Sequence, residues 1–224
     1  MSAPAWSYSA LKTFEQCPKR YYHEKVAKDY VQGDTDATIY GKAVHSAAEL
    51  YVRDRTPIPE KYAYIKPMID KLLAIKGHKL AEYEMGIAKQ DGRLVPCAFG
   101  DDNRWWRGIA DLLILNGDTA YCIDYKTSKN AKYADTKQLA LLAAAVFLHF
   151  PQIKKVKGAL LFVVCDHFIK ESYAYDDRFT IFAKLDGLLQ QREVAYESGV
   201  FNSKTSGLCK KHCQVLVCPH NGRN

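Results

Sequence analysis

Apolar residues recur at helical spacing in several parts of the chain, and each such stretch predicts a helix. The clearest prediction covers residues 36–55 and ends at a proline-rich segment. Its apolar face carries Tyr40, Val44, Ala47, Ala48 and Tyr51. Further helices are predicted over residues 60–76, 136–149 and 176–198, the last with an apolar stripe of Phe179, Phe182, Leu185, Leu188 and Leu189. Residues 7–25 predict two short helical pieces, because Pro18 disfavours helix at Cys17 and starts a helix well.

Alternating or continuous apolar runs predict the strands. They cover residues 80–88, 105–115, 120–126 and 156–165, and residues 173–175 form a short edge strand. The Asn-Gly-Asp sequence at 116–118 predicts a tight hairpin between the second and third strands. Asp111 and Asp124 are therefore expected to lie close together across this hairpin.

Length and composition predict one α/β domain spanning 1–224. With 224 residues, 48% of them hydrophobic, the chain can bury a core, which we expect over residues 36–200. No run of 18 apolar residues and no signal-peptide pattern is visible, so an intracellular, cytoplasmic protein without a membrane span is expected. The net charge of +7 is compatible with a polyanionic partner without identifying one.

Asp124 and Lys126 carry the strongest chemical signal. Side chains alternate along a strand, so both point to one face, and Asp111 joins them from the neighbouring strand. Two carboxylates suit Mg²⁺ or Mn²⁺, to which the Tyr125 carbonyl oxygen adds a ligand, and such a metal activates water against a phosphodiester. Lys126 would position or deprotonate that water. The alternative, usual for an isolated Asp-x-Lys, is a surface strand with a salt bridge.

Four of the seven cysteines form a second signal. Cys17 lies far from the other three, which are bunched near the C-terminus as Cys209, Cys213 and Cys218. Four thiolates suit an iron–sulfur cluster or structural zinc, and for zinc His212 or His220 can replace a thiolate. Either group is expected to act as a structural clasp between residues 7–30 and 201–224.

Weaker candidates surround the strand signal. Trp105 is a candidate for stacking on bases, with a core position as the alternative. Three lysines are candidates for phosphate contacts, with a solvated helix start as the alternative: Lys129, Lys132 and Lys137.

Together these motifs resemble the PD-(D/E)xK nuclease superfamily and, within it, the RecB-like branch. The resemblance covers residues 7 to about 218. It rests on Gly108-x-x-Asp111, on Ile-Asp-Tyr-Lys-Thr at 123–127, on Gln138, and on Gly-Lys-Ala-Val-His at 41–45 followed by Glu49. It implies a restriction-endonuclease-like core with a mixed central sheet flanked by helices.

The resemblance also implies roles for individual residues. Asp111 and Asp124 bind the metal with His45 as an additional ligand, and Lys126 is catalytic. Gln138 contacts the site or the DNA, and Glu82, in preference to Glu84, contributes from the first strand. The Cys17-Pro18 pair with the C-terminal cysteines resembles AddB-type and CRISPR-adaptation nucleases, whose nuclease domain carries a 4Fe–4S cluster. Two features depart from the pattern: Leu142 stands where the branch has tyrosine, and the cysteine spacing is C-x3-C-x4-C.

The implied activity is that of a Mg²⁺- or Mn²⁺-dependent deoxyribonuclease. We expect an exonuclease that acts on single-stranded DNA ends in recombination, repair or phage DNA metabolism, with recombination proteins as partners. The resemblance is greatest to small stand-alone nucleases of tailed phages. The alternatives are a structure-specific endonuclease and a non-catalytic nucleic-acid-binding module. Intact Asp111, Asp124 and Lys126 disfavour the module.

Overall fold

The computed structural model describes residues 3–30, 33–132 and 134–223. Its α-helices are α1 (Tyr8–Gln16), α2 (Pro18–Tyr21), α3 (Asp36–Asp54), α4 (Lys66–Leu73), α5 (Lys137–His149), α6 (Asp177–Ala183) and α7 (Asp186–Ser198). A π-helix covers Tyr22–Ala27, and 3₁₀ helices cover Glu60–Ile65 and Gly207–Lys210. In the described part of the chain, no helix has the length and apolar character that crossing a membrane requires.

The chain divides into two compact units. One comprises residues 34–183. The other, the terminal unit, comprises the described residues up to Gly33 and those from Lys184 onward. The terminal unit includes α7, which the predicted boundaries assign to the core, and the single domain over 1–224 stays a prediction.

Residues 34–183 form a six-stranded mixed sheet. Its strands are β1 (His78–Gln90), β2 (Arg93–Cys97), β3 (Arg104–Asn116), β4 (Thr119–Lys126), β5 (Lys155–Phe162) and β6 (His167–Ala174). The order is β2-β1-β3-β4-β5-β6, with antiparallel neighbours except for the parallel pair β4 and β5. A parallel pair needs a crossover connection, which contains α5. This architecture confirms the predicted α/β fold with a mixed sheet flanked by helices.

Helices cover both faces of the sheet. Leu161 packs in the same buried cluster as Val44 of α3, whereas the preceding Leu160 packs against Leu139 of α5. Because successive strand side chains point to opposite faces, α3 and α5 lie on opposite sides of β5. α5 is buried over most of its circumference, which explains its near-continuous Ala and Leu sequence.

The terminal unit begins with the predicted broken helix. Ser7 Oγ accepts a hydrogen bond from the Ala10 amide and caps α1, which ends at an extended Cys17 before Pro18 opens α2. The buried Arg192 of α7 donates from Nε to the Tyr21 hydroxyl at 3.1 Å and from Nη2 to the Pro4 carbonyl at 2.8 Å. These bonds tie the first residues of the chain to α7.

Several predicted elements differ from the observed ones. The single helix over 176–198 is wrong, because α6 and α7 are separated at Lys184 and Leu185, and Phe179 of its predicted apolar stripe is 63% exposed. The helix over 60–76 begins as a 3₁₀ segment, and α4 starts at Lys66 with Pro67 in its first turn, where proline's missing amide proton is tolerated. β2 was not predicted, and β6 is longer than the predicted edge strand.

Candidate metal centre

Three carboxylates form a row across three neighbouring strands. Asp111 of β3 lies between Glu82 of β1 and Asp124 of β4, because the pairs Ala81↔Leu112 and Leu112↔Ile123 flank these positions in the two ladders. Glu82 has a positive φ of 48°, a left-handed conformation that is uncommon for a residue other than glycine. This conformation interrupts the regular alternation of β1 beside Asp111.

The Asp111 carboxylate fills the opening between β3 and β4. The backbone pairing of β3 with β4 runs from Asn116↔Thr119 to Leu112↔Ile123. Beyond the last pair, the amide of Tyr125 in β4 donates to Asp111 Oδ2 at 2.5 Å. The Asp111 side chain thus takes the place of a backbone acceptor of β3 where the two strands stop pairing. The buried Asp111 carboxyl group is held in place by this bond.

His45 reaches the same point from α3. Its Nδ1 lies 3.4 Å from Asp111 Oδ1, and its ring packs edge-on against Tyr125 with centroids 5.8 Å apart. One ligand atom each from His45, Glu82 and Asp111 lie within 4.8 Å of one another. α3 therefore supplies an imidazole to a site whose carboxylates come from the sheet.

Lys126 stands beside the third carboxylate. Its Nζ lies 2.5 Å from Asp124 Oδ2 and donates to Gln138 Oε1 of α5 at 3.3 Å. Asp124 Oδ2 is buried and accepts no well-directed hydrogen bond from the described residues, so its contact with Lys126 is an ion pair. The predicted neighbours Asp124, Lys126 and Gln138 are thus brought together.

The carboxylates repel one another. Burial, and then the charge of Asp111, raises the pKa of Glu82 to about 7 and that of Asp124 to about 6, against the opposing charges of His45 and Lys126. Burial opposes protonation of His45, but the bond to Asp111 and the charges of the three carboxylates outweigh it and raise its pKa. Such concentrated negative charge is the environment that a bound cation stabilises.

The donor set fits a divalent metal ion. Carboxylate oxygens are the ligands that Mg²⁺ and Mn²⁺ prefer, and an imidazole nitrogen is a common additional ligand of transition metals. The compact group consists of His45, Glu82 and Asp111, so the structure places Glu82 beside two residues that the sequence predicts as ligands. The roles of these residues, including the Tyr125 carbonyl, stay predictions.

Other predicted nucleic-acid contacts lie elsewhere. Trp105 is half-buried against Phe182, with Lys89 Nζ 4.3 Å from its ring centroid. It stands six residues before Asp111 on β3, about 20 Å away along the strand, so the structure does not bring it to the centre. The three lysines are exposed around the segment between β4 and α5, which leaves their role open: Lys129, Lys132 and Lys137.

The four cysteines of the second signal line one cavity in the terminal unit. They are Cys17, Cys209, Cys213 and Cys218, and His220 joins them in the lining whereas His212 does not. Within the described residues, no three of the four bring their sulfurs within 4.8 Å of one another. Backbone amides of Lys204 and Ser206 donate to the sulfurs of Cys17 and Cys209, each at 3.4 Å. The clasp itself stays a prediction.

Two solved structures are similar to this chain over most of its length. The crystal structure of a protein named "Putative exonuclease" from Eubacterium rectale is 14% identical over 96% of this chain and 90% of that one, with a TM-score of 0.53. At that identity the likeness concerns the fold alone. The crystal structure of SSO0001 is 15% identical over 99% of this chain and 89% of that one, with a TM-score of 0.44.

Comparison with curated proteins gave no significant match. The family model for the PD-(D/E)XK nuclease superfamily matches residues 5–219, which is nearly the whole sequence. This chain therefore belongs to the PD-(D/E)XK nuclease superfamily.

Proposed function

We propose that this protein is a Mg²⁺- or Mn²⁺-dependent deoxyribonuclease of the RecB-like branch, which removes nucleotides from single-stranded DNA ends in recombination or repair. The observation that carries the proposal is the ion pair of Lys126 with Asp124 beside the compact group of His45, Glu82 and Asp111. A salt bridge on a surface strand needs no histidine and no row of buried and half-buried carboxylates.

The carboxylates of Asp111, Asp124 and Glu82, with the His45 imidazole, would hold the metal. When bound, the metal polarises the phosphodiester and lowers the pKa of a coordinated water. Metal binding also relieves the repulsion that raises the pKa values of Glu82 and Asp124.

Lys126 supplies the remaining catalytic function. Its Nζ is fixed between Asp124 Oδ2 and Gln138 Oε1, so the ammonium has little freedom and is aimed at the carboxylate row. There it positions the attacking water, accepts its proton when neutral, and offsets negative charge on the pentacovalent transition state when charged. Gln138 orients Lys126.

The test uses DNA labelled at either end, in single-stranded, double-stranded and circular single-stranded forms. With Mg²⁺ or Mn²⁺ we expect release of short products from linear single strands and no cutting of the circle. Lys126→Ala and Asp124→Asn should each lower the rate by about 100-fold or more. The matched control is Asp118→Asn, an exposed carboxylate at the hairpin end of the same strands.

Wild-type protein that binds DNA but cleaves none of these substrates with any divalent metal would overturn the nuclease proposal. Cutting of the circle would replace the exonuclease with the endonuclease alternative.

We also propose that the cysteine-lined cavity of the terminal unit holds a 4Fe–4S cluster. Four thiolates suit such a cluster, and amide donation to Cys17 and Cys209 is the kind of hydrogen bonding that cluster sulfurs accept. Tetrahedral zinc with bonds of about 2.3 Å would hold its sulfurs about 3.8 Å apart, whereas among the described residues no three of these sulfurs lie within 4.8 Å of one another.

Anaerobically purified protein should therefore be brown and contain about four irons per chain. Cys17→Ser should lose iron and colour, whereas Cys165→Ser, at an exposed cysteine outside the cavity, should keep both. One zinc per chain and a colourless protein would show instead a zinc site, in which His220 is the candidate ligand.

A further inference from the structure

A groove runs from the candidate metal centre along one face of α3. His45 and Glu82 of the centre line it, and its other lining residues on α3 include Thr38, Lys42, Ser46 and Glu49. Thr127, the residue after β4, forms part of the opposite wall. All of these residues belong to the unit of residues 34–183.

The chemistry of this groove suits a sugar–phosphate backbone rather than a base. Its described lining consists of small, hydroxyl-bearing and charged side chains, and its one aromatic ring is the His45 imidazole, which belongs to the metal centre. The Glu49 carboxylate in this lining is paired with Arg53 at 2.6 Å. Hydroxyl groups of Ser46 and Thr127 can donate to phosphate oxygens, whereas the Thr38 hydroxyl already donates to the Thr35 carbonyl in the cap of α3. Lys42 adds an exposed ammonium, now paired with the exposed Asp34 at 2.7 Å.

Gly41 lies where α3 comes close to Thr127. A β-carbon placed on Gly41 would lie 3.2 Å from Thr127 Oγ1, which is tighter than ordinary van der Waals contact. Any larger side chain would therefore project into the space between α3 and the end of β4. Gly187, on the exposed face of α7, has nothing within 4 Å of the corresponding point.

We infer that this groove binds the phosphodiester backbone of the DNA strand next to the scissile phosphate, and that Gly41 sets the width of the groove. The inference rests on the proposed nuclease function and adds the path of the substrate to it. Lys42, Ser46 and Thr127 contact the backbone, while the metal centre acts on the bond at the end of the groove.

The first experiment compares a long and a short substrate in the full-length protein. Bis(p-nitrophenyl) phosphate is a diester small enough to reach the metal centre without occupying the groove, whereas an oligonucleotide must fill it. Gly41→Ala and Gly41→Leu should lower the ratio of oligonucleotide cleavage to small-diester hydrolysis progressively, with a fall of about 100-fold for leucine. Gly187→Leu is the matched helix-glycine control and should leave the ratio unchanged.

A proportional fall of both activities in Gly41→Leu would overturn the inference, because it would mean that the substitution disturbs the metal centre. An unchanged ratio would overturn it as well. If the wild-type protein hydrolyses neither substrate, the proposed function itself fails, and that result is distinct from either outcome of the Gly41 series. Because alanine favours helix over glycine, Gly41→Ala should keep or raise the melting temperature, which separates substrate exclusion from misfolding.

The second experiment measures binding without cleavage. In a Lys126→Ala background with Mg²⁺, oligonucleotide affinity is followed against salt concentration. Lys42→Gln should reduce the slope of log affinity against log salt by about one phosphate contact. Lys66→Gln, which breaks a comparable exposed pair with Asp70 outside the groove, should not. Equal slopes for Lys42→Gln and its parent would show that Lys42 does not contact a phosphate of the bound strand.

Discussion

The amide of Tyr125 donates a hydrogen bond to Asp111 Oδ2 at the point where β3 and β4 cease to pair. Asp111 thus has two tasks, since it closes the opening between two strands and presents its other oxygen to His45. The two tasks can be separated by substitution.

Asp111→Asn keeps an oxygen that can accept from Tyr125, while Asp111→Ala leaves that buried amide without its partner. We expect the alanine variant to be less stable than the asparagine variant by about 1–3 kcal/mol. Both should lose metal-dependent activity, because neither supplies a carboxylate. Urea denaturation and isothermal titration with Mn²⁺ measure the two effects. Equal stability of the two variants would show that the Tyr125 bond contributes little.

The raised pKa of Glu82 makes the effect of metal depend on pH. A carboxyl group whose pKa rises from 4.5 to about 7 on folding binds protons more tightly in the folded state, so the metal-free protein loses stability as pH rises through this range. A metal ion requires the ionised form. The increase in melting temperature caused by Mn²⁺ should therefore be larger at pH 8 than at pH 6.

Glu82→Gln is the control for that experiment. It removes the titrating group while keeping the size of the side chain, so the Mn²⁺-induced increase should become smaller and vary less with pH. An increase that is the same at both pH values in the wild-type protein would contradict a metal site that includes Glu82.

Gln138 is expected to act through Lys126. Its Oε1 accepts from Lys126 Nζ, and Gln138→Ala should release the lysine and lower kcat on the order of 100-fold with little change in KM. The neighbouring Lys137 is exposed, so Lys137→Ala should alter KM alone if it contacts phosphate. Steady-state kinetics on an oligonucleotide distinguish the two. An unchanged kcat in Gln138→Ala would show that Gln138 does not contribute to catalysis.

Packing explains why glycine occupies position 108 in the Gly108-x-x-Asp111 motif. A β-carbon at this position would lie 2.5 Å from the ring of the buried Trp106, so Gly108→Ala should destabilise the protein by about 1–3 kcal/mol. Gly100→Ala, where nothing lies within 4 Å, should have a much smaller effect. Thermal denaturation checks both. Unchanged stability of Gly108→Ala would mean that the Trp106 ring moves aside freely.

Local pattern was sufficient to predict the elements that carry most of the candidate site. The hairpin of β3 and β4 follows from alternation and an Asn-Gly turn, and helix α3 follows from its apolar spacing. The register that places Asp111 beside Asp124 depends on those local features alone. The nuclease family was therefore recognisable from the order of the motifs.

The remaining features depend on tertiary structure. The left-handed conformation of Glu82 leaves no mark on hydrophobic pattern beyond imperfect alternation, so its approach to Asp111 was only weakly predictable. Apolar spacing continues from α6 into α7 and conceals the break between them. Phe179 fits the helical stripe but lies against the guanidinium of Arg178, with that carbon 4.0 Å from the ring centroid. The spacing of apolar residues cannot tell whether an aromatic ring packs in the hydrophobic core or against a cationic side chain.

The row of Glu82, Asp111 and Asp124 also dictates an order of events. In the absence of a cation it presents negative potential to any approaching polyanion, and like charges a few ångströms apart in a partly buried site repel strongly. Under the proposed function, we therefore expect nucleic acid to enter only after, or together with, the metal ion. Binding of a divalent cation between these carboxylates would then be the condition for binding of the strand.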